Sequence, residues 1–249
     1  MMELKGKVAL ITGAASGIGK STALLFAKNG ASVLLTDIDE EKGKALAEEI
    51  KATGDKAVFV KADASKPEDS ERSVEEALSH FGKLDIAVNN AGIGGEQLPV
   101  GEYGIESWDK VIGINLSGVF YGMRYQIPAM LKKGKGSIIN VTSILGSVGF
   151  ANSAAYVAAK HGIVGLTKSA ALEYSAKGIR VNSVGPAFIK TPLLDGLDKD
   201  LLDQLVSAHP IGRLGEPEEV AELFMWLAGD RASFATGAYY PIDGGYLAQ

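Results

Sequence analysis

The chain has 249 residues, of which 46% are hydrophobic and 22% are charged, and its formal net charge is −5. This composition is typical of a globular protein and excludes a disordered chain, a disulfide scaffold and a fibrous repeat. The negative charge argues against nucleic acid and anionic membrane surfaces as partners, because both attract basic proteins.

Three features that the sequence lacks limit the possible chemistry and cellular compartment of the protein. The chain contains no cysteine, which excludes disulfides, thiolate metal sites and a cysteine nucleophile. No apolar stretch reaches the roughly 20 residues needed to span a bilayer. No signal-peptide pattern precedes the first strand-like run, so we expect a cytoplasmic protein with no membrane partner.

Short β-branched runs alternate with longer amphipathic segments along the chain. The runs at 8–11, 32–35, 57–60, 84–88, 137–141 and 179–184 predict buried parallel strands. The segments 40–53 and 67–81 carry apolar residues on one stripe and predict helices. This order predicts an α/β fold with a doubly wound parallel sheet and helices on both faces. Since no linker interrupts the pattern, we expect residues 1–249 to form a single domain.

The segment 153–176 is rich in Ala, Gly and Val almost all the way round, which is typical of a helix buried on two sides. One side would cover the sheet and the other would meet a second subunit. A central helix inside a monomer is the alternative. We predict a homo-oligomer with twofold symmetry, and more specifically a homotetramer built as a dimer of dimers.

A glycine-rich turn follows the first predicted strand. Glycines there let the backbone approach a pyrophosphate, and the amides of the next helix face its negative charge. The spacing G-x-x-x-G-x-G differs from the G-x-G-x-x-G fingerprint, and a turn that uses glycine for packing alone is the alternative. The position favours a dinucleotide site that includes Gly13, Ser16, Gly17, Ile18 and Gly19.

Asp37 ends the second predicted strand. A carboxylate there can accept hydrogen bonds from ribose hydroxyls, and it would repel the 2′-phosphate of NADP(H). No Arg or Lys among residues 14–17 or at Ile38 offsets that repulsion. The sequence therefore predicts NAD(H) as the cofactor. Capping of the next helix is a second reading of Asp37, and the two roles are compatible.

Tyr156 and Lys160 are four residues apart and share one face of the predicted helix. Ser143 follows the fifth predicted strand at the sheet edge where ligands of such folds bind. An ammonium near a phenol should lower the phenol pKa and make Tyr156 a useful general acid and base. Ser143 would hydrogen-bond the substrate oxygen, and the set suits hydride transfer.

At this point the chain resembles the short-chain dehydrogenase/reductase family over essentially its whole length. Further matching stretches are Asn89-Asn90-Ala91-Gly92, Asn182-Ser183-Val184-Gly185-Pro186 and Asp243-Gly244-Gly245. The resemblance implies a Rossmann-like sheet of strand order 3-2-1-4-5-6-7. The sequence departs from the family at Ala187, where a glycine usually follows the proline and where alanine restricts the backbone of the loop.

The resemblance also implies roles for residues. Tyr156 would be the proton donor in reduction and the base in oxidation, and Lys160 would bind the nicotinamide ribose and lower the Tyr156 pKa. Asn115 would hold a water in a proton relay, and Asp63 would contact the adenine. The other positions that it assigns to the cofactor are Ile38, Ala64, Asn90, Ala91, Gly92, Pro186, Ile189 and Thr191.

The substrate wall is expected to be mostly apolar, as small-molecule pockets usually are. Residues from about 188 to 212 are irregular and could form a lid. The three histidines have no metal-ligand spacing, so we predict no metal site. A C-terminus that binds Mg²⁺ between subunits, as in some family members, is less favoured than an ordinary contact tail. The candidate wall residues are Ser143, Ile144, Val148, Phe150, Ala151, Tyr156, Phe188, Leu193 and Leu194.

These observations predict an NAD(H)-dependent oxidoreductase for a secondary alcohol and its ketone. A 3-oxoacyl-acyl-carrier-protein reductase is the first alternative, which Asp37 and the acidic charge disfavour. A sugar or polyol dehydrogenase is another, and a polar pocket would support it. A dinucleotide-sensing binding protein is the non-enzymatic alternative, and it would not need Ser143, Tyr156 and Lys160 together.

Overall fold

The computed structural model describes residues 2–196 and 198–249. Within these ranges, seven strands form one parallel sheet of order β3-β2-β1-β4-β5-β6-β7. This confirms the predicted fold class and the strand order that the resemblance implied. The strands are β1 (Val8–Thr12), β2 (Ser32–Asp37), β3 (Ala57–Lys61), β4 (Ile86–Asn89), β5 (Gly136–Val141), β6 (Ile179–Pro186) and β7 (Tyr239–Ile242).

Helices cover both faces of the sheet. One face packs against α1, α2 and α8, around Phe26 and Phe224, and the other packs against α3, α5 and α6, around Met130. Across the described ranges, no helix is long and apolar enough to cross a membrane. The helices are α1 (Gly17–Lys28), α2 (Glu40–Ala52), α3 (Pro67–Phe81), α4 (Ile105–Ile112), α5 (Gly118–Leu131), α6 (Ala154–Tyr174), α7 (Lys199–Ser207) and α8 (Pro217–Ala228).

The strands read as continuous apolar runs because both of their faces are buried. Leu10 packs into the cluster under α3, α5 and α6, and its neighbour Ile11 packs into the cluster under α1, α2 and α8. In the same way, Ile138 packs into the first of these clusters and Ile139 packs into the second. Successive strand side chains point to opposite faces, so a sheet covered twice needs apolar residues at every position.

The fourth strand is shorter than predicted. It begins at Ile86, and the side chain of Asp85, directly before it, makes contacts of its own. One carboxylate oxygen of Asp85 accepts a hydrogen bond of 2.8 Å from the backbone N–H of Val8, and the side chains of Lys83 and Lys133 pair with the same carboxylate. Burial acts to raise the pKa of Asp85, but these donors hold it below its ordinary value.

The predicted 153–176 helix is α6. Ala155, Ala159 and Ile163 on one side are buried against the sheet. The opposite side is open in the single chain, where Leu172 is 88% exposed. The structure thus shows one covered face, and the subunit contact predicted for the other stays a prediction.

The segment predicted as an irregular lid has defined structure. It contains a short turn at Pro192–Leu194 and helix α7, while Leu197 lies outside the described residues. Its first part is tied down by an isolated bridge between Ile189 and Gly215. The sequence showed no regular pattern here because the helix covers less than three turns.

Candidate active site

A cavity of about 870 Å³ opens at the carboxyl ends of the strands. It is bordered by the turns and loops that follow β1 to β6, as ligand sites in open parallel sheets usually are. The charged side chains on its wall are Asp37, Asp63, Asp69, Lys110 and Lys160. Since helices cover the faces of the sheet, this edge is where residues from distant parts of the sequence meet.

The turn between β1 and α1 requires glycine at two positions for different reasons. Gly13 has φ +63°, and a Cβ there would lie 2.9 Å from the Cα of Ala91. A Cβ on Gly19 would lie 2.1 Å from the carbonyl oxygen of Gly13. Gly13, Ser16, Gly17 and Ile18 line the cavity, whereas Gly19 is buried behind the turn. Gly19 packs the turn, and the cofactor contact predicted for it stays a prediction.

The start of α1 is suited to an anion. Ser16, the N-cap residue, makes no side-chain hydrogen bond to the helix, and the first turn carries no acidic residue. The first backbone amides of α1 can therefore donate to a ligand oxygen, and the helix dipole favours a negative charge there. The tight glycine turn and these amides fit the pyrophosphate of a dinucleotide.

Asp37 is held rigidly at the end of β2. Its carboxylate accepts hydrogen bonds from the backbone N–H of Ala15 at 2.9 Å and of Asp39 at 3.0 Å. The N-cap of α2 is Asp39, which accepts from the backbone N–H of Lys42. Asp37 is thus not the cap of the next helix, and its carboxylate borders the cavity.

The loop after β3 lies on the same side. Asp63 accepts hydrogen bonds from the backbone and hydroxyl of Ser65, at 2.9 and 2.7 Å, and its own backbone N–H donates to Asp69. Ile38 is 68% exposed at the rim. Asp63, Ala64 and Ile38 all line the cavity, and the cofactor contacts that the resemblance implied for them stay predictions.

Asn90 holds the glycine turn in place from below. Its side-chain amide donates to the carbonyl oxygens of Thr12 and Gly13, both at 3.0 Å. Ala91 and Gly92 follow it along the cavity wall. The loop after β4 therefore supports the turn after β1.

Ser143, Tyr156 and Lys160 meet at the other end of the cavity. The Lys160 ammonium donates to the carbonyl oxygen of Val141 at 2.9 Å and lies 5.2 Å from the centre of the Tyr156 ring. The Ser143 hydroxyl accepts from the backbone N–H of Leu145 at 3.2 Å. The three groups that the sequence picked out are thus neighbours in space.

Asn115 joins this group through a π-helical turn at Gly113–Ser117, between α4 and α5. Its side chain exchanges two hydrogen bonds with the backbone of Ile93, at 2.8 and 2.9 Å. A Cβ on Gly92 would lie 3.3 Å from Oδ1 of Asn115 and 3.7 Å from Nζ of Lys160. The Asn115 amide and the Lys160 ammonium therefore both lie next to Gly92, where a side chain would crowd them.

The pKa of Tyr156 differs in direction from the sequence prediction. Burial raises the pKa of Tyr156 to about 12, and only the hydrogen bond with Ser143 opposes it. Burial also lowers the pKa of Lys160 to about 8. Desolvation disfavours the charged form of both groups, the phenolate of Tyr156 and the ammonium of Lys160, which is only 3% exposed.

The loop after β6 covers the cavity. Pro186, Ile189 and Thr191 line it, and a Cβ on Gly17 would lie 3.0 Å from the Thr191 side chain. Asn152 is the only non-glycine residue with positive φ in the two described ranges. Ala187 therefore has an ordinary backbone conformation, and the departure from the family pattern at this position causes no strain.

The predicted substrate wall is largely present. Ile144, Phe150, Phe188, Leu193 and Leu194 line the cavity, and the Phe150 and Phe188 ring centres are 6.1 Å apart. Val148 and Ala151 are not among the lining residues, whereas Phe150 between them is. Sequence analysis missed Gln97, Leu201 and Leu205, which come from a loop and from α7 and carry no motif.

The chain is similar to a family model and to known proteins along nearly its whole length. A family model described as enoyl-(acyl carrier protein) reductase matches residues 13–247. A cyclohexanol dehydrogenase of Acinetobacter sp. (strain SE19) is 52% identical over 99% of this chain and 97% of that protein. A 3-oxoacyl-(acyl-carrier-protein) reductase of Thermotoga maritima is 42% identical over 99% of this chain and all of that protein, a coverage of 100%.

Solved structures agree with the sequence relatives. The crystal structure of levodione reductase superposes with a TM-score of 0.95 at 36% identity, covering 98% of this chain and 99% of that one. Similarity of this extent shows that the two chains share one fold over nearly their whole lengths.

Proposed function

The chain belongs to the short-chain dehydrogenase/reductase family of oxidoreductases, and from that premise we propose that it interconverts a secondary alcohol and its ketone with NAD(H). The observation that carries the proposal is the meeting of Ser143, Tyr156 and Lys160 on the cavity that Asp37 also borders. When bound, NAD(H) would supply or accept the hydride. The residues of the chain then have to bind the cofactor, orient the substrate and move one proton.

Tyr156 is the group we assign to the proton. Its pKa of about 12 keeps the phenol neutral near pH 7, so Tyr156 can donate to the carbonyl oxygen during reduction. During oxidation it has to accept the alcohol proton, and that direction is expected to speed up as the pH rises. Ser143 would orient the substrate oxygen, Lys160 would hold the nicotinamide ribose, and Asn115 would hold a water of the proton relay.

The choice of NAD(H) over NADP(H) rests on the charge at the β2 end of the cavity. Asp37 and Asp63 both present carboxylates there. A 2′-phosphate carries nearly two negative charges and would be repelled, whereas ribose hydroxyls can donate to a carboxylate. The same argument disfavours a 3-oxoacyl-acyl-carrier-protein reductase that uses NADPH, although one relative carries that name.

The substrate that we propose is an uncharged alicyclic secondary alcohol. Phe150, Phe188 and Leu193 give the substrate end an apolar wall. Gly113, three residues after Lys110, lies beside Ser65 in the loop after β3, which places Lys110 towards the adenosine end. Lys160 is then the one cation of the described lining near Tyr156, and it is engaged with Val141. Relatives named for cyclohexanol and for cis-4-hydroxycyclohexanecarboxylate, at 52% and 44% identity, make ring alcohols the first compounds to test.

The test is a spectrophotometric assay of the purified protein with cyclohexanol, a linear secondary alcohol, a polyol and a 3-oxoacyl thioester, each with NAD(H) and NADP(H). We expect the highest kcat/KM for cyclohexanol with NAD. Turnover of the thioester with NADPH above that of cyclohexanol would favour the reductase alternative. Binding of NADH without turnover of any compound would support a dinucleotide-sensing protein.

We also propose that the enzyme is a cytoplasmic homotetramer, a dimer of dimers. The support is the open side of α6, with Leu172 88% exposed, and Phe120 of α5, 49% exposed. Apolar side chains on one surface of a single chain are typical of subunit contacts. Light scattering after size-exclusion chromatography measures the mass directly, and a monomer would contradict this part of the proposal.

A further inference from the structure

Four polar side chains are buried between the sheet and the helices α5 and α6, beneath the cavity. They are Asn89 at the end of β4, Gln126 of α5, Asn140 of β5 and Thr167 of α6, and none is more than 3% exposed. We call them the amide cluster. Because buried polar groups are costly when unpaired, a cluster of this kind is retained only when its members satisfy one another.

The amide cluster is connected from end to end by hydrogen bonds. Asn89 and Gln126 face each other and exchange two bonds, of 2.8 and 3.2 Å. Asn89 also donates to the Asn140 side chain at 2.9 Å, and Asn140 donates to the Thr167 hydroxyl at 3.0 Å. The chain of bonds therefore runs from α5 through two strands to α6.

The local packing is built around these amides. A Cβ on Gly122 would lie 2.7 Å from Oδ1 of Asn89 and 3.0 Å from Nε2 of Gln126. Gly122, Asn89 and Gln126 also line the cavity. Glycine in the middle of α5 thus makes room for the paired amides, which form part of the cavity floor.

Each element that the cluster joins carries a group of the active site. β4 leads into Asn90, β5 leads to Ser143, and α6 carries Tyr156 and Lys160. α5 begins directly after the π-helical turn that holds Asn115. Thr167 lies two turns beyond Lys160 on the same side of α6.

We propose that Gln126 and Thr167, acting through Asn89 and Asn140, are positioning residues that set the register of β4, β5, α5 and α6 and so the arrangement of Asn115, Ser143, Tyr156 and Lys160. Apolar contacts between helix and sheet tolerate small sliding, whereas a pair of amides with two mutual hydrogen bonds has one arrangement. Lys160 is sensitive to such sliding, because its ammonium donates across from α6 to Val141 of β5.

The central test compares three substitutions on α6. Thr167→Val keeps the shape but removes the acceptor of Asn140, Thr167→Ser keeps the hydroxyl, and Ile163→Val shortens an apolar side chain on the same buried face. We expect Thr167→Val to lower kcat for cyclohexanol about tenfold and to shift the pH profile of kcat, since small displacements of catalytic groups are costly. Thr167→Ser should restore both, and Ile163→Val should lower Tm while leaving kcat and the profile unchanged.

Two substitutions at Gln126 keep the proposal testable if Thr167→Val does not fold. Gln126→Glu can still accept from Asn89, whereas Gln126→Leu can make neither bond. We expect a graded loss of kcat, with Gln126→Leu the larger, and the double variant Gln126→Leu/Thr167→Val should lose less than the product of the single losses because both break one network. Losses that multiply would show that the two residues act separately and would overturn the proposal.

The proposal is also overturned if folded Thr167→Val and Gln126→Leu keep kcat, KM and the pH profile within about twofold of the unsubstituted protein. Affinity for NADH, measured by fluorescence, provides a readout independent of turnover, because β4 leads directly into the Asn90 loop. Failure of the unsubstituted protein to oxidise cyclohexanol bears on the proposed substrate alone.

Discussion

The two ends of the cavity are built in different ways. At the end formed by β1 to β3, the backbone shapes the wall, and charged side chains such as Asp37 and Asp63 are held by hydrogen bonds to nearby backbone or hydroxyl groups. At the end formed by β5, β6 and α7, side chains make the wall, and Phe150 and Leu193 are 40% and 58% exposed. The shape of the first end is therefore fixed by the backbone. The shape of the second end can change through substitution of its side chains without disturbing the sheet.

The difference teaches where selectivity for each partner resides. Hydrogen bonds to the backbone determine the first end, so its recognition follows from the turn and loop motifs that the sequence displays. Contacts between segments far apart in the sequence determine the second, so its recognition depends on individual side chains. The four substitutions below probe one end or the other, beginning with the largest expected effect.

Tyr156→Phe removes the phenolic proton and should lower kcat by roughly 10²- to 10⁴-fold, the usual contribution of a general acid. The ring stays in place, so NADH affinity should change little. Tyr174→Phe on the same helix is the matched control and should keep full turnover. A turnover of Tyr156→Phe equal to that of the original protein would refute the assigned role.

Lys160→Met tests whether burial of the Lys160 ammonium at the substrate end lowers the free energy of unfolding. The Lys160 pKa falls from 10.5 to about 8 on burial, so between these values the unfolded chain holds a proton that the folded protein has released. The free energy of unfolding should therefore rise with pH across that window, by up to about 3 kcal/mol.

Replacing Lys160 by Met should remove this slope and stabilise the protein below pH 8, while activity is lost. Urea unfolding at several pH values measures it, with the exposed Lys168→Met as control. If Lys160→Met and the original protein have parallel pH dependences, the cation is not being buried at a cost.

Asp37→Ala probes the first end. Loss of the carboxylate removes the repulsion of a 2′-phosphate, and we expect the preference for NAD over NADP to fall by about 10- to 100-fold. The ratio of kcat/KM for the two cofactors is the measurement, and Asp55→Ala, which removes the same charge elsewhere, should leave it unchanged. Equal use of both cofactors by the unsubstituted protein would contradict the interpretation of Asp37.

Phe188→Ala probes the second end and should have the smallest effect. The ring packs against Phe150 and His209, at 6.1 and 5.8 Å between ring centres. Its loss should lower kcat/KM for cyclohexanol about tenfold, as the loss of apolar contact usually does, and favour larger ring alcohols. Phe234→Ala, at a fully exposed position, is the control. An unchanged order of substrates would place the specificity elsewhere on the wall.

Local patterns were sufficient for much of the architecture. The six predicted strands and the helices at 40–53 and 67–81 are present, with ends displaced by a few residues. No sequence pattern indicated β7 or α4, because Tyr239–Ile242 and Ile105–Ile112 are too short to show a period clearly, and the seventh strand was expected from the family resemblance alone. Val148, predicted for the substrate wall, is not among the residues that line the cavity, and direction within an irregular loop has no periodic signal.

The sequence by itself determined the sheet with its glycine turn and the identity of Asp37, Ser143, Tyr156 and Lys160 as the groups to examine. These features depend on the backbone preferences and side-chain periods of short segments, which a sequence displays directly. The tertiary structure alone decided that burial raises the pKa of Tyr156, and that Gln126 and Thr167 belong to one hydrogen-bonded cluster. Desolvation and hydrogen bonding of this kind arise from neighbours that are distant along the chain, and only folding brings those neighbours together.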